Sequence, residues 1–235
     1  MISVILSTNN ELRNNYLEAL FDALNNQNSE CEIIVVDNSS SDATRDVCKK
    51  YTQQIHVLEN SNRAERFNYG LKKAKWDIIV FHHAATIIPR NSLRDLETAL
   101  SGRYVWWWYR HSFDVSHPLL KFTSWYSNHV RAKHSGILYA DHIIFWKTEV
   151  FRAVGWFPNM DVFEETPLCK NLVKRYGKPI LLDHSIITSA RRFTRRGVYK
   201  HALFNQYLKL CYYLWVSHKT MNKSYESRDG YNVKY

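Results

Sequence analysis

The first hundred residues alternate short β-branched runs with longer segments of helical periodicity, and this alternation restricts the chain to a sheet built from successive β-α-β units. The runs occupy 2–6, 32–36, 55–59 and 77–81. Between them, 12–24 sets Tyr16, Leu17, Leu20, Phe21 and Leu24 at helical spacing, and 42–51 and 64–74 are the next two helices. Asp42 is positioned to cap the second, because its carboxylate accepts from the free N–H groups of a first turn. The expected class is α/β, with a mainly parallel central sheet and flanking helices.

Beyond Pro89 the rhythm weakens. Residues 103–113 are aromatic-rich and read as a strand, 118–130 as a helix and 137–146 as an interrupted strand. A helical pattern over 163–176 is punctuated by Gly177 and Pro179, and 198–216 is the last helix. No repeat or linker divides the chain. At 235 residues and 45% hydrophobic content it suits one core, expected over 1–218, with a polar tail at 219–235 that frays.

A net charge of +10 selects an anionic partner: a nucleoside diphosphate, a nucleic acid or an acidic membrane surface. Nucleic acid is the least favoured, since nothing but the arginines and Trp106-Trp107-Trp108 suggests it and no nucleic-acid module is present. Cys31, Cys48, Cys169 and Cys211 form no C-x-x-C pair, which excludes a zinc knuckle and points to a reducing, cytoplasmic setting. The N-terminus has no signal-peptide pattern, and no apolar run reaches the roughly 18 residues of a membrane span. The last helix carries Lys209 as its one charge between Tyr207 and Val216, so it belongs in the core, in a homodimer or peripherally on a membrane, the first two being favoured.

Ligands of such sheets bind beyond the carboxyl ends of the strands, which directs attention to 7–10, 37–41, 60–63 and 82–83. Asp37 suits the imide N–H of a uracil ring, or equally an Asx turn. Arg63 and Arg66 open a helix and suit a diphosphate, or simply a charged surface. Glu164 and Glu165 precede an apolar helical pattern, where one carboxylate serves as a general base or both merely favour a first turn. Arg191, Arg192, Arg195 and Arg196 surround Phe193 as a phosphate clamp, an acidic-lipid contact or a solvated run. His82 and His83 point to opposite sides of an extended segment, so at most one ligates a metal ion.

Taken in order, these segments resemble the family 2 glycosyltransferases of GT-A fold, in particular a subgroup of short single-domain bacterial members. Ser3 to Glu11 is similar to the opening strand and turn, and Val35 to Thr44 to the nucleotide-binding segment, which implies that Thr8, Asn10 and Asp37 hold base and ribose. Arg63 to Gly70 is similar to R-A-x-Q-x-N-x-G beside the donor diphosphate, with Arg66 replacing the glutamine. Tyr139-Ala140-Asp141-His142 resembles an acceptor-side Y-G-D-Q, and Gly155 to Pro158 resembles G-G-F-P. Phe163 to Leu168 is similar to M-E-D-x-x-L, and Ser189 to Gly197 to S-A-R-R-[WF]-x-x-R-G.

The resemblance implies an inverting transfer from a nucleotide-diphosphate sugar, such as a UDP-sugar, to a hydroxyl acceptor, with Glu165 as the base. It also implies a divalent ion, Mn or Mg. The subgroup's F-L-H-A-D-T reads Phe81-His82-His83-Ala84-Ala85-Thr86 here, so the aspartate is Ala85 and His83 alone is a weak metal ligand. The arginines are then expected to neutralise the diphosphate. The alternative is a degenerate member that binds donor or a partner without turnover.

Overall fold

The computed structural model describes residues 1–14, 16–99 and 105–226. The amino-terminal half follows the expected rhythm: β1 (Ile2–Thr8), α1 (Tyr16–Asn25), β2 (Cys31–Asp37), α2 (Thr44–Lys49), β3 (Ile55–Val57), α3 (Arg63–Lys73) and β4 (Ile78–His83). β1 pairs in parallel with β2 and with β4, and β2 with β3. β1 is buried along its whole length, as a strand covered on both faces must be. Its alternate side chains divide the core: Ile2, Val4 and Leu6 join one apolar cluster with α1, and Ile5 joins another with Phe67 and Leu71 of α3.

The other half comprises β5 (Thr86–Ile87), α4 (Ser92–Ala99), β6 (Trp106–Phe113), α5 (Pro118–Tyr126), β7 (Ile144–Lys147), α6 (Thr148–Val154), α7 (Glu165–Tyr176), β8 (Ile180–Thr188), α8 (Arg191–Arg196), α9 (Val198–Tyr213) and α10 (His218–Glu226). Among the described residues the sheet has eight strands in the order β3-β2-β1-β4-β7-β6-β8-β5. β7 enters antiparallel between β4 and β6, and β8 runs parallel to β6. The three tryptophans of β6 are all buried, so they are core and not a stacking surface.

Several expectations change in detail. The helix from 118 continues past α5 as a π-helical stretch, Ser127–Ser135, ended by Gly136 in the left-handed conformation. The interrupted strand over 137–146 is a 3-10 turn, Ala140–His142, followed by the short β7. Asp42 lies one residue before the N-cap position of α2, Ala43, and accepts from Thr44 N at 3.0 Å and from Leu12 N at 3.3 Å. Residues 219–226 of the expected tail belong to α10, held by buried Met221 and by Arg196 Nη2 donating to the Tyr225 carbonyl at 2.7 Å. The remainder of that tail, 227–235, and residues 103–104 of the expected strand lie outside the described residues.

Candidate functional site

The loops after β1 and β2 are stitched into one rim. Thr8 Oγ1 donates to Asp37 Oδ2 at 2.7 Å, and Ser40 donates to the same carboxylate from its N at 2.7 Å and from its Oγ at 2.6 Å. Asn10, in the left-handed region at φ 52°, receives Ser41 N on Oδ1 at 2.8 Å while its own N donates to Ser40 Oγ. Thr8 and Asp37 are fully buried, so in this state the Asp37 carboxylate is engaged by the loop itself. The turn-forming reading of Asp37 is the one this geometry shows, with the aspartate at the carboxyl edge of the sheet.

A second constellation comes from sequence positions a hundred residues apart. Asn62 caps α3 by accepting from Glu65 N at 2.9 Å, while Glu65 Oε2 receives Asn62 N at 2.8 Å, a reciprocal capping box legible as Asn-x-x-Glu. The cap sets Arg63 at the first turn of α3, facing the first turn of α7. Arg63 Nε donates to Glu164 Oε1 at 2.5 Å and Nη2 to Glu165 Oε1 at 2.7 Å. Glu165 Oε1 also receives Ala140 N at 3.1 Å, which ties the base candidate to the 139–142 turn. Phe163 and Ile143 flank these two segments with φ of 62° and 52°, strained values for an aromatic and a β-branched residue.

Both glutamates are buried, and Glu164 Oε2 has no hydrogen-bond partner among the described residues. Burial pushes the Glu165 carboxyl from 4.5 up to about 7; Arg63 opposes this shift and Glu164 adds to it. A carboxyl poised there exchanges its proton near neutrality, which suits general-base chemistry.

Arg66 departs most from a surface reading. It is 3% exposed, donates from Nε to Ser7 Oγ at 2.7 Å and from Nη1 to the Ser61 carbonyl, and has no ion pair among the described residues. Burial lowers its pKa to about 10, with Arg63 acting in the same direction. Glu11, Asp37 and Glu164 oppose the shift from a distance, so Arg66 is a desolvated cation with no ion pair among the described residues and keeps capacity for an anion.

His82 and His83 separate as expected. His82 is fully buried, its Nδ1 donates to the His83 carbonyl at 3.0 Å, and burial lowers its pKa to about 4. His83 Nδ1 accepts from Ala85 N at 3.1 Å. Burial, then Arg63 and Arg191, hold the His83 pKa well below the ordinary histidine value, so the ring is neutral and its proton sits on Nε2. A donor N–H is no metal ligand. Ala85 contributes a buried methyl group, and among the described residues no three His, Cys, Asp or Glu side chains gather as a cage. These residues do not fit a hard divalent ion, which prefers several oxygen ligands.

Of the pair expected on the acceptor side, His142 is fully buried and Asp141 half-buried, with partners that the sequence did not reveal. Asp141 lies 3.6 Å from His111 Nε2 and 3.9 Å from Arg131 Nη2, and His142 Nδ1 donates to the Tyr109 carbonyl at 3.0 Å. Burial raises the Asp141 pKa, but the charges of His111, His142 and Arg131 outweigh it and hold the carboxyl below the usual range. Asp141 Oδ1, Arg131 Nε and Nη2, His111 Nε2 and His142 Nε2 are buried without hydrogen-bond partners among the described residues. A hydroxyl-bearing ligand would satisfy them.

The four clamp arginines divide. Ser189 N donates to the Ala85 carbonyl at 2.9 Å, and Arg191 and Arg192 are close enough to depress the His83 pKa. Arg191 Nη2 lies 3.3 Å from Glu11 Oε2. Arg196 instead fastens α10, and Arg195 is exposed.

The fold is a mixed α/β sheet with its polar rim at the carboxyl edge of the parallel strands. The pattern described as Glycosyl transferase family 2 matches residues 3–148, more than half of the sequence, and the chain belongs to that family. No curated protein matches its sequence. Among solved structures, S. aureus TarS aligns at TM-score 0.67 and 15% identity over 80% of this chain and 36% of its own. Its 1–349 fragment in complex with UDP-GlcNAc aligns at 0.63 and 18% identity over 81% and 58%. The Pyrobaculum calidifontis mannosyltransferase PcManGT, in complex with GDP-Man and Mn2+, aligns at 0.65 and 19% identity over 97% and 64%. The chain thus spans about a third to two thirds of the length of these structures, which share its GT-A fold.

Proposed function

We propose that the chain transfers a sugar from a nucleotide-diphosphate donor, a UDP-sugar, to a hydroxyl acceptor with inversion. The observation that carries this reading is Glu165: a buried carboxylate at the mouth of α7, with a raised pKa, fixed by Arg63 and Ala140 N. The acceptor oxygen attacks the anomeric carbon, its proton passes to Glu165, and the bond to the β-phosphate oxygen breaks with its electron pair leaving on the diphosphate. Thr8, Asn10 and Asp37 form the nucleoside rim. Asp141, His142, Arg131 and His111 receive acceptor hydroxyls. Arg63 is a positioning residue that keeps Glu165 in place and partly ionised.

The diphosphate is neutralised by Arg66, Arg191 and Arg192, with His83 Nε2–H donating to an oxygen. TarS and PcManGT, solved with UDP-GlcNAc and GDP-Man, support a nucleotide-sugar donor by shared fold. The test is release of UDP from UDP-sugars by the purified chain. Glu165→Gln should reduce it by about a hundredfold or more while UDP binding persists, and undiminished turnover in that variant would remove Glu165 from the role. Ala85 favours a second reading, a donor-binding protein without turnover. Tight UDP-sugar binding with no release of UDP under any acceptor condition would select it.

A further inference from the structure

The outer surface of α5 and α9 is largely apolar, and no element among the described residues covers it. The two helices run side by side in the same direction, with the His117 and Tyr199 rings 5.6 Å apart at one end and Lys209 Nζ 5.8 Å from the Tyr126 ring at the other. α9 buries His201, Phe204, Leu208 and Cys211 against the domain. Its other face exposes Tyr199, Leu203, Tyr207, Leu210 and Tyr213, and α5 exposes Phe122 and Trp125 beside it. The expectation that the apolar last helix is enclosed thus holds for one face only. Apolar patches of this kind on a soluble surface mark a contact.

The end of α9 adds a second observation. Val216 N donates to the Cys211 carbonyl at 3.0 Å and Trp215 N to the Tyr212 carbonyl at 3.2 Å, the paired bonds of a Schellman turn. Its left-handed position, where glycine is the ordinary occupant, holds Trp215 at φ 61°. That side chain is 94% exposed, so no packing within the described residues offsets its strain.

Charge decides the partner. The stretches 115–140 and 184–225, which contain α5 and α9, hold eleven of the thirty-two Lys and Arg and none of the twenty-two Asp and Glu. The rest of the chain is therefore close to neutral, and the whole net charge of +10 resides in these two stretches. Lys121 of α5 and Lys200 of α9 are exposed on the helices themselves, so a second copy docked there would set like cations against each other. An anionic surface that also accepts aromatic side chains matches both properties.

We propose that α5, α9 and the Trp215 turn form a docking face for an acidic lipid membrane, with α9 lying in the interfacial plane and Trp215 as its anchor. No helix among the described residues is long and apolar enough to cross a bilayer, so the contact is peripheral. α8, which carries Arg191 and Arg192, leads directly into α9, so docking sets the rim of the candidate site beside the headgroups.

The test is co-sedimentation of the full chain with vesicles of equal parts phosphatidylcholine and phosphatidylglycerol, against pure phosphatidylcholine. Binding to the acidic vesicles should be at least about tenfold tighter and should fall with added salt. Trp215→Gly removes the anchor and relieves the left-handed strain, so it should weaken acidic-vesicle binding about tenfold while leaving the Tm equal or higher. Leu210→Glu, on the exposed face, should do the same without unfolding. Undiminished vesicle binding in both variants would overturn the assignment. So would absence of vesicle binding together with a dimer, seen by light scattering, that Leu210→Glu dissociates.

Discussion

At the scale of the residue, Glu165 gives the sharpest expectation because its surroundings are unequal in sign. Burial raises its pKa to about 7 and Arg63 lowers it, so the ionised base grows as pH rises through that value. The pH profile of kcat/KM for donor turnover should therefore rise to an inflection near 7 and then level. Arg63→Ala removes the opposing charge, so the inflection should move to higher pH, and Arg63→Lys should restore part of the shift. A profile that ignores position 63 would show that the ion pair does not control the base. The same shift bears on stability. The folded carboxyl holds its proton above the ordinary 4.5, so its stabilising contribution is full below that value and is lost as pH rises through about 7. Glu165→Gln should flatten the fall in stability over that window in chemical denaturation.

At the scale of the element, α3 shows why position in the fold outweighs propensity. Gly70 sits where α3 crosses β1, and a Cβ there would collide with Ile5 Cγ2, with Val36 Cγ2 at 3.4 Å. Gly70→Ala, favourable in an exposed helix, should here destabilise by about 1–3 kcal/mol, measured by urea unfolding. Asn62→Ala should cost about 1 kcal/mol and, by loosening the turn that holds Arg63, should also lower turnover. The elements legible in the sequence are those with continuous apolar runs or strong helical spacing, which is why β1, β2, β4, α1 and α3 were read closely. β8 escapes a reading by pattern because Asp183, His184 and Ser185 interrupt its apolar run, and β5 because two residues carry no period. α10 reads as tail because its anchoring depends on Met221 and on Arg196 from another helix, neither of which polarity reveals.

At the scale of the whole molecule, the site residues were legible one at a time, but their company was not. Nothing local in Arg63 announces Glu164 and Glu165 as its partners across a hundred positions, and nothing in Asp141 announces Arg131 and His111. The metal question belongs to this scale because the sheet sets Ala85 between the His83 ring and the Ser189 loop. With a methyl group at 85 and the proton of His83 on Nε2, the proposed function draws the positive charge for the leaving diphosphate from α3 and α8 instead. The Tm of the chain with UDP should therefore be unmoved by Mn2+, and its turnover should survive a chelator. Ala85→Asp buries a carboxylate at a site 1% exposed, which should lower the Tm without metal. Mn2+ with UDP should restore it, because a ligand bound only to the folded state stabilises in proportion to the logarithm of its saturation. Stabilisation of the unsubstituted chain by Mn2+, or loss of its turnover on chelation, would return the ion to the mechanism and the arginines to a supporting place.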